Sequence, residues 1–125
     1  MIQQISNSEL ELMKIIWKEG GKALYASIMS ELKKEECEWK KNTVLTLLSR
    51  LVDKGFLTTS KIGRRNVYVA LVSEEDYLTT QTKSFLEKVY EGNVRGLVST
   101  LIQQDILSSD DLEELQTYWK EKLNE

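Results

Sequence analysis

The sequence predicts a mainly α-helical fold with one small β-hairpin, and three observations carry that expectation. The 125 residues contain no proline, the main breaker of helix interiors. Apolar residues recur at helical spacing along most of the chain, and that period lapses between Phe56 and Leu71. There, two short runs rich in strand-forming residues flank a link that contains glycine. Apolar residues at 41% and charged residues at 30% are ordinary for a globular chain. The length suits one domain, or a small domain with an appendage.

The first helix is expected from Ser6 to Gly20. Ser6 and Glu9 stand at capping-box spacing, Gly20-Gly21 closes the segment, and Leu10, Met13 and Trp17 share a face. The second, Ala23 to Glu36, stacks Leu24, Ile28 and Leu32 and ends in a polar tail. The third, Asn42 to Lys54, has Val44, Leu47, Leu48 and Leu51 as its stripe and stops at Gly55. Strands at 56–61 and 66–71 then enclose Ile62-Gly63-Arg64-Arg65. Helix, helix, helix, hairpin is the chain order of a winged helix-turn-helix, with the basic hairpin tip as its wing.

Past Leu71 the character changes. Ser73 and Asp76 suggest a helix start, with Leu78, Thr82, Phe85, Leu86 and Val89 as its stripe. Gly92-Asn93 interrupts, and Val94, Leu97, Val98, Leu101 and Ile102 mark another helix. Ser108 with Asp111 opens the last, which carries Leu112, Leu115, Trp119 and Leu123. Helices this few bury too little surface alone, so pairing with a second copy is the economical solution. The expected division is a winged-helix DNA-binding domain at 1–72 and a helical dimerisation region at 73–125. The dimer contacts are assigned to Phe85, Val89, Leu97, Val98, Leu101, Leu112, Leu115 and Trp119.

The net charge of −3 hides an asymmetry. Residues 1–72 hold 12 Lys/Arg against 8 Asp/Glu, and residues 73–125 hold 5 against 12. From Trp39 to Val72 there are seven cations and one anion, Asp53. Such a strip suits a polyanion, although it is also what a solvated lysine-rich surface looks like. On the third helix the face opposite the apolar stripe carries Asn42, Thr43, Leu45, Thr46, Ser49 and Arg50. Asparagine pairs with adenine, threonine donates, accepts or meets a thymine methyl, and arginine takes guanine or phosphate. Lys40, Lys41 and Lys54 suit the flanking phosphates, and Arg64 and Arg65 the wing's contact.

Much is excluded. With no histidine and a single cysteine, a disulfide framework, a zinc finger and histidine-based catalysis are ruled out, so no metal, cofactor or enzymatic activity is expected. The carboxylates cluster where helix dipoles favour them. The tryptophans at 17, 39 and 119 are read as packing residues, and Cys37 as a packing residue or idle thiol. No apolar run approaches the roughly 18 residues of a membrane helix and no export signal is evident, so the expected address is cytoplasmic without membrane insertion.

The run Thr43-Val-Leu-Thr-Leu-Leu-Ser-Arg-Leu-Val-Asp-Lys-Gly-Phe-Leu57 resembles the recognition helix of the penicillinase-repressor (BlaI/MecI/CopY) family. Ile5–Trp17 resembles that family's first helix, Gly63-Arg-Arg-Asn-Val-Tyr68 its wing, and Ser84–Gly92 its fourth helix. Leu97-Val98 and the acidic Ser108–Leu115 are similar to its dimerisation tail. The resemblance implies a homodimeric repressor on a palindromic, double-stranded operator of β-lactam resistance genes. By position it makes Thr43 and Thr46 base readers and Arg50 a backbone contact. Asn42 and Leu45 depart from the lysine and arginine of staphylococcal members, which bears on the operator sequence.

The copper-responsive branch of that family ends in a cysteine cluster, which is missing here. The β-lactam-responsive branch is inactivated by proteolysis, through a membrane sensor protease pathway, at an Asn-Phe bond in staphylococcal members. The matching bond is Thr100-Leu101. Two alternatives stay open on sequence grounds: a winged helix serving protein interaction, and a ligand-sensing regulator without β-lactam linkage.

Overall fold

A computed structural model describes residues 2–124. The elements are α1 (Asn7–Lys18), β1 (Lys22–Leu24), α2 (Tyr25–Lys34), α3 (Lys41–Asp53), β2 (Leu57–Ile62), β3 (Arg65–Ala70), α4 (Glu74–Tyr90), α5 (Val94–Gln103) and α6 (Ser109–Leu123). The strands form one antiparallel sheet in the order β1-β3-β2. The chain divides into two compact units, one up to Thr80 and one from Gln81, with the division inside α4. Residues 73–80 therefore lie in the first unit.

In the first unit, α1 starts with the expected capping box. The Glu9 N–H donates to Ser6 Oγ at 3.1 Å and the Ser6 N–H to Glu9 Oε1 at 2.9 Å. Its buried face is Leu12, Met13, Ile15 and Ile16, whereas Leu10 and Trp17 of the expected stripe lie at its margin. The core joins these residues to Ile28 and Leu32 of α2, to the full expected stripe of α3, and to Phe56, Leu57 and Tyr68. Tyr77 of α4 completes it, with its ring centroid 5.6 Å from Trp17 and 5.9 Å from Phe56. The Trp17 indole N–H donates to the Val72 carbonyl at 2.9 Å.

Two expectations need correction. The second helix does not begin at Ala23: Lys22–Leu24 is a strand whose Ala23 pairs with Tyr68 of β3. Leu24, taken as the first member of a helical stripe, is the residue before α2 and contributes no side-chain cap. A sheet partner far along the chain overrides a local periodicity here. The hairpin itself is tighter than expected, because β2 and β3 pair from Leu57↔Ala70 to Ile62↔Arg65. That leaves Gly63 and Arg64 as the whole turn, so Arg65 belongs to β3.

In the second unit α5 begins on Asn93, whose side chain accepts from the Gly96 N–H, and α6 on a Ser108–Asp111 capping box. Neither helix has a fully buried residue. Among the described residues no helix is long and apolar enough to cross a membrane.

Candidate nucleic-acid interface

The α3 sequence turns four apolar side chains into the core, packs Val52 at its edge and leaves one polar face outside. Its C-terminus closes with the Gly55 N–H on the Val52 carbonyl at 3.1 Å and the Phe56 N–H on the Leu51 carbonyl at 2.9 Å. This is a Schellman arrangement that needs a left-handed residue, and Gly55 supplies it at φ +80°. Lys40, Lys41, Asn42, Thr43, Thr46, Ser49 and Arg50 are exposed. Asn42, Thr43, Thr46 and Arg50 line one shallow depression of about 340 Å³ along the helix. The Thr46 hydroxyl donates to the Asn42 carbonyl at 2.8 Å, so its proton is spent within the helix while its lone pairs and methyl stay available.

The wing turns at Gly63, where φ is +65°; Arg64 is not among the positive-φ residues, the sign pattern of a type II′ hairpin turn. Arg64 stands at the tip, Arg65 faces Ile62 across the ladder, and Lys61 faces Asn66. The tip residues Arg64, Arg65 and Asn66 border a groove of about 690 Å³ whose other wall is α2, including Tyr25, Ser27, Ser30 and Lys34. This α2 wall was not foreseen, because nothing in a helix's own spacing says which of its faces a distant hairpin will approach. Burial, and secondarily the neighbouring Tyr68, pushes the Tyr25 hydroxyl above its ordinary pKa.

Lys40, Lys41, Arg50, Lys61, Arg64 and Arg65 have no carboxylate within ion-pairing distance among the described residues. Lys54 differs, which corrects its expected phosphate role. Its Nζ lies 2.8 Å from Oε1 of Glu9, and its side chain is 29% exposed against 2% for Glu9. Lys54 is thus occupied as the counter-ion of a buried carboxylate. Helix starts also differ. Side chains accept first-turn N–H groups in α1, α4, α5 and α6, whereas α2 and α3 begin on Leu24 and Lys40 without a side-chain cap.

The residues assigned to dimerisation all lie in the second unit. Phe85, Val89, Val98, Leu115 and Trp119 are exposed and Leu97, Leu101 and Leu112 half-buried. Phe85 meets Tyr90 edge-on at 5.8 Å. Thr100 and Leu101 sit inside the last turns of α5, where the Thr100 carbonyl accepts from the Gln104 N–H at 3.0 Å. The Leu101 carbonyl accepts from the Ile106 and Leu107 N–H groups. Cys37 is half-buried at the edge of the core, as is Trp39. No group of three or more potential ligands is placed to hold a metal among the described residues.

A three-helix unit with an exposed third helix and a basic two-stranded wing defines a winged-helix protein. Residues 5–121 match the penicillinase repressor family, and the chain belongs to that family. It is 37% identical over 123 residues to the penicillinase repressor of Bacillus licheniformis, covering 98% of this chain and 94% of that one. It is 35% identical over 122 residues to the methicillin resistance regulatory protein MecI of Staphylococcus aureus strain N315, covering 95% of each. Among solved structures it is similar to the DNA-binding domain of the repressor BlaI, at a TM-score of 0.54 and 42% identity over 62% of this chain and 92% of that one. Monomeric BlaI of Bacillus licheniformis in complex with the blaP half-operator gives a TM-score of 0.52 at 42% identity, with the same coverage. The expected winged-helix fold is therefore borne out, with one strand more than the hairpin.

Proposed function

We propose that this chain is a DNA-binding transcriptional repressor of resistance genes. It acts as a homodimer on a palindromic operator and has no enzymatic activity of its own. The observation that carries the reading is the α3 face: polar and cationic side chains are exposed together there and have no acidic partner among the described residues. The relative solved on a half-operator shares this unit's fold, which favours DNA as the polyanion. Asn42, Thr43 and Thr46 meet base edges, while Lys40, Lys41, Arg50, Arg64 and Arg65 take phosphates. Uncapped first turns on α2 and α3 keep their N–H groups free for the same backbone.

Relief of repression is assigned to proteolysis at Thr100-Leu101 by a sensor-linked protease. The bond is helical, so α5 opens locally before a protease can hold it extended, and cutting there separates α6 from the winged helix. The test is fluorescence anisotropy with the promoter fragment upstream of the chain's own gene and with scrambled DNA, at two salt concentrations. Specific binding at least about a thousandfold above scrambled DNA is expected, weakening steeply with salt. Arg50→Ala lowers affinity for both DNAs and reduces the salt slope by about one. Thr46→Ala changes sequence preference by about 1 kcal/mol, the low end for a base contact because its proton is already engaged. Equal weak binding to both DNAs would instead favour a protein-interaction module.

A further inference from the structure

Helix α3 holds one further aliphatic side chain that lies outside the core cluster. Val44, Leu47, Leu48 and Leu51 are buried, and Val52 packs at the edge of the same core. Leu45 is half-buried, so part of its side chain still reaches solvent, and it stands outside that cluster. It lies next to Thr46, whose hydroxyl proton is held by the Asn42 carbonyl. The middle of the helix thus offers a leucine isobutyl group, a threonine methyl and lone pairs, with no free hydroxyl proton between them. In the major groove the one apolar group on a base edge is the 5-methyl of thymine. The solvent-facing part of a leucine set against any other base edge would desolvate polar atoms and return nothing.

We propose that Leu45 is a specificity-determining residue that selects thymine through its 5-methyl group. This rests on α3 being the helix that meets base edges, as in the function proposed above. Leu45 makes its contact without charge, so its selectivity does not depend on counterion release.

The experiment uses the full chain and a duplex that the chain itself selects from a random-sequence pool. Each thymine is replaced singly by deoxyuridine, which removes the methyl and leaves the pairing intact. Wild-type protein is expected to lose about fourfold in affinity at one or more positions, the worth of one buried methyl group. That ratio persists at higher salt while all affinities fall. Leu45→Ala and Leu45→Gln, the second keeping the side-chain length, both bind thymine and uracil duplexes alike at those positions. A flat uracil scan with tightly binding wild-type protein overturns the proposal. So does an undiminished uracil penalty in both variants. If wild-type protein fails to enrich any sequence from the pool, the underlying reading of α3 falls instead.

Discussion

Among the described residues Glu9 is the charged residue that the fold buries, and it serves two elements at once. Its Oε1 receives the Ser6 N–H and the Lys54 ammonium, while Oε2 is buried without a partner among the described residues. Burial pushes the Glu9 carboxyl up, but the bonds from Lys54 and Ser6, together with the Lys54 charge, outweigh it and hold its pKa below the ordinary value. A pKa lower in the folded than in the unfolded chain means that protonation favours unfolding. The resulting stabilisation is complete above the unfolded glutamate value of about 4.3 and is lost as pH falls through the folded one. Urea midpoints should therefore fall on acidification below that value, and less so in Glu9→Gln. Lys54→Met should cost about 3 kcal/mol, because it strands a buried carboxylate. An unchanged midpoint at neutral pH would contradict the pairing. The capping role of Glu9 was legible because its partner lies three residues away. The ion pair was not, since Lys54 is 45 residues distant and local spacing is silent at that range.

Elements with an internal period were the legible ones. The α3 stripe and its glycine stop were read correctly, since a core face and a left-handed C-terminus are both written locally. Gly55→Ala should keep the helix and cost about 1 kcal/mol, because φ there is +80° and open space surrounds the position. Guanidinium or urea unfolding checks this, and no loss would mean that the Schellman closure relaxes without strain. Elements specified by a distant partner were misread. Lys22–Leu24 is three residues long and lies in the sheet because β3 pairs with it. With Leu24 at helical spacing from Ile28 and Leu32, α2 drew the strand into its own pattern. The α1 face was displaced for a related reason, as Trp17 is held at the margin by the Val72 carbonyl. In the candidate site, exposed α3 residues followed from the stripe by subtraction. Nothing local announced that Lys54 was occupied or that α2 would wall the wing groove.

At the scale of the whole molecule, the second unit carries apolar side chains that its own helices leave exposed, Leu115 at 52% and Trp119 at 58% among them. A second copy is the occupant that the proposed function requires. Leu115→Glu should leave the fold intact, since the side chain is already exposed, and should shift sedimentation from dimer to monomer. Binding to a full palindrome should then fall about a hundredfold, with half-site affinity nearly unchanged, because the linked second site is lost. An unaltered sedimentation profile would place the dimer contact elsewhere. The hairpin imposes a different kind of limit. Its strands pair without interruption up to a turn of two residues, and the same strands supply Leu57, Val67 and Tyr68 to the interior. Adding a single residue to either strand would exchange inward and outward side chains along that strand. The reach of the wing therefore changes only by paired additions to both strands, which keep the register below them. Descendants of this chain can acquire a taste for new DNA by exchanging letters on α3 and at the wing tip, while the distance between those two contacts moves only in whole steps of one added pair.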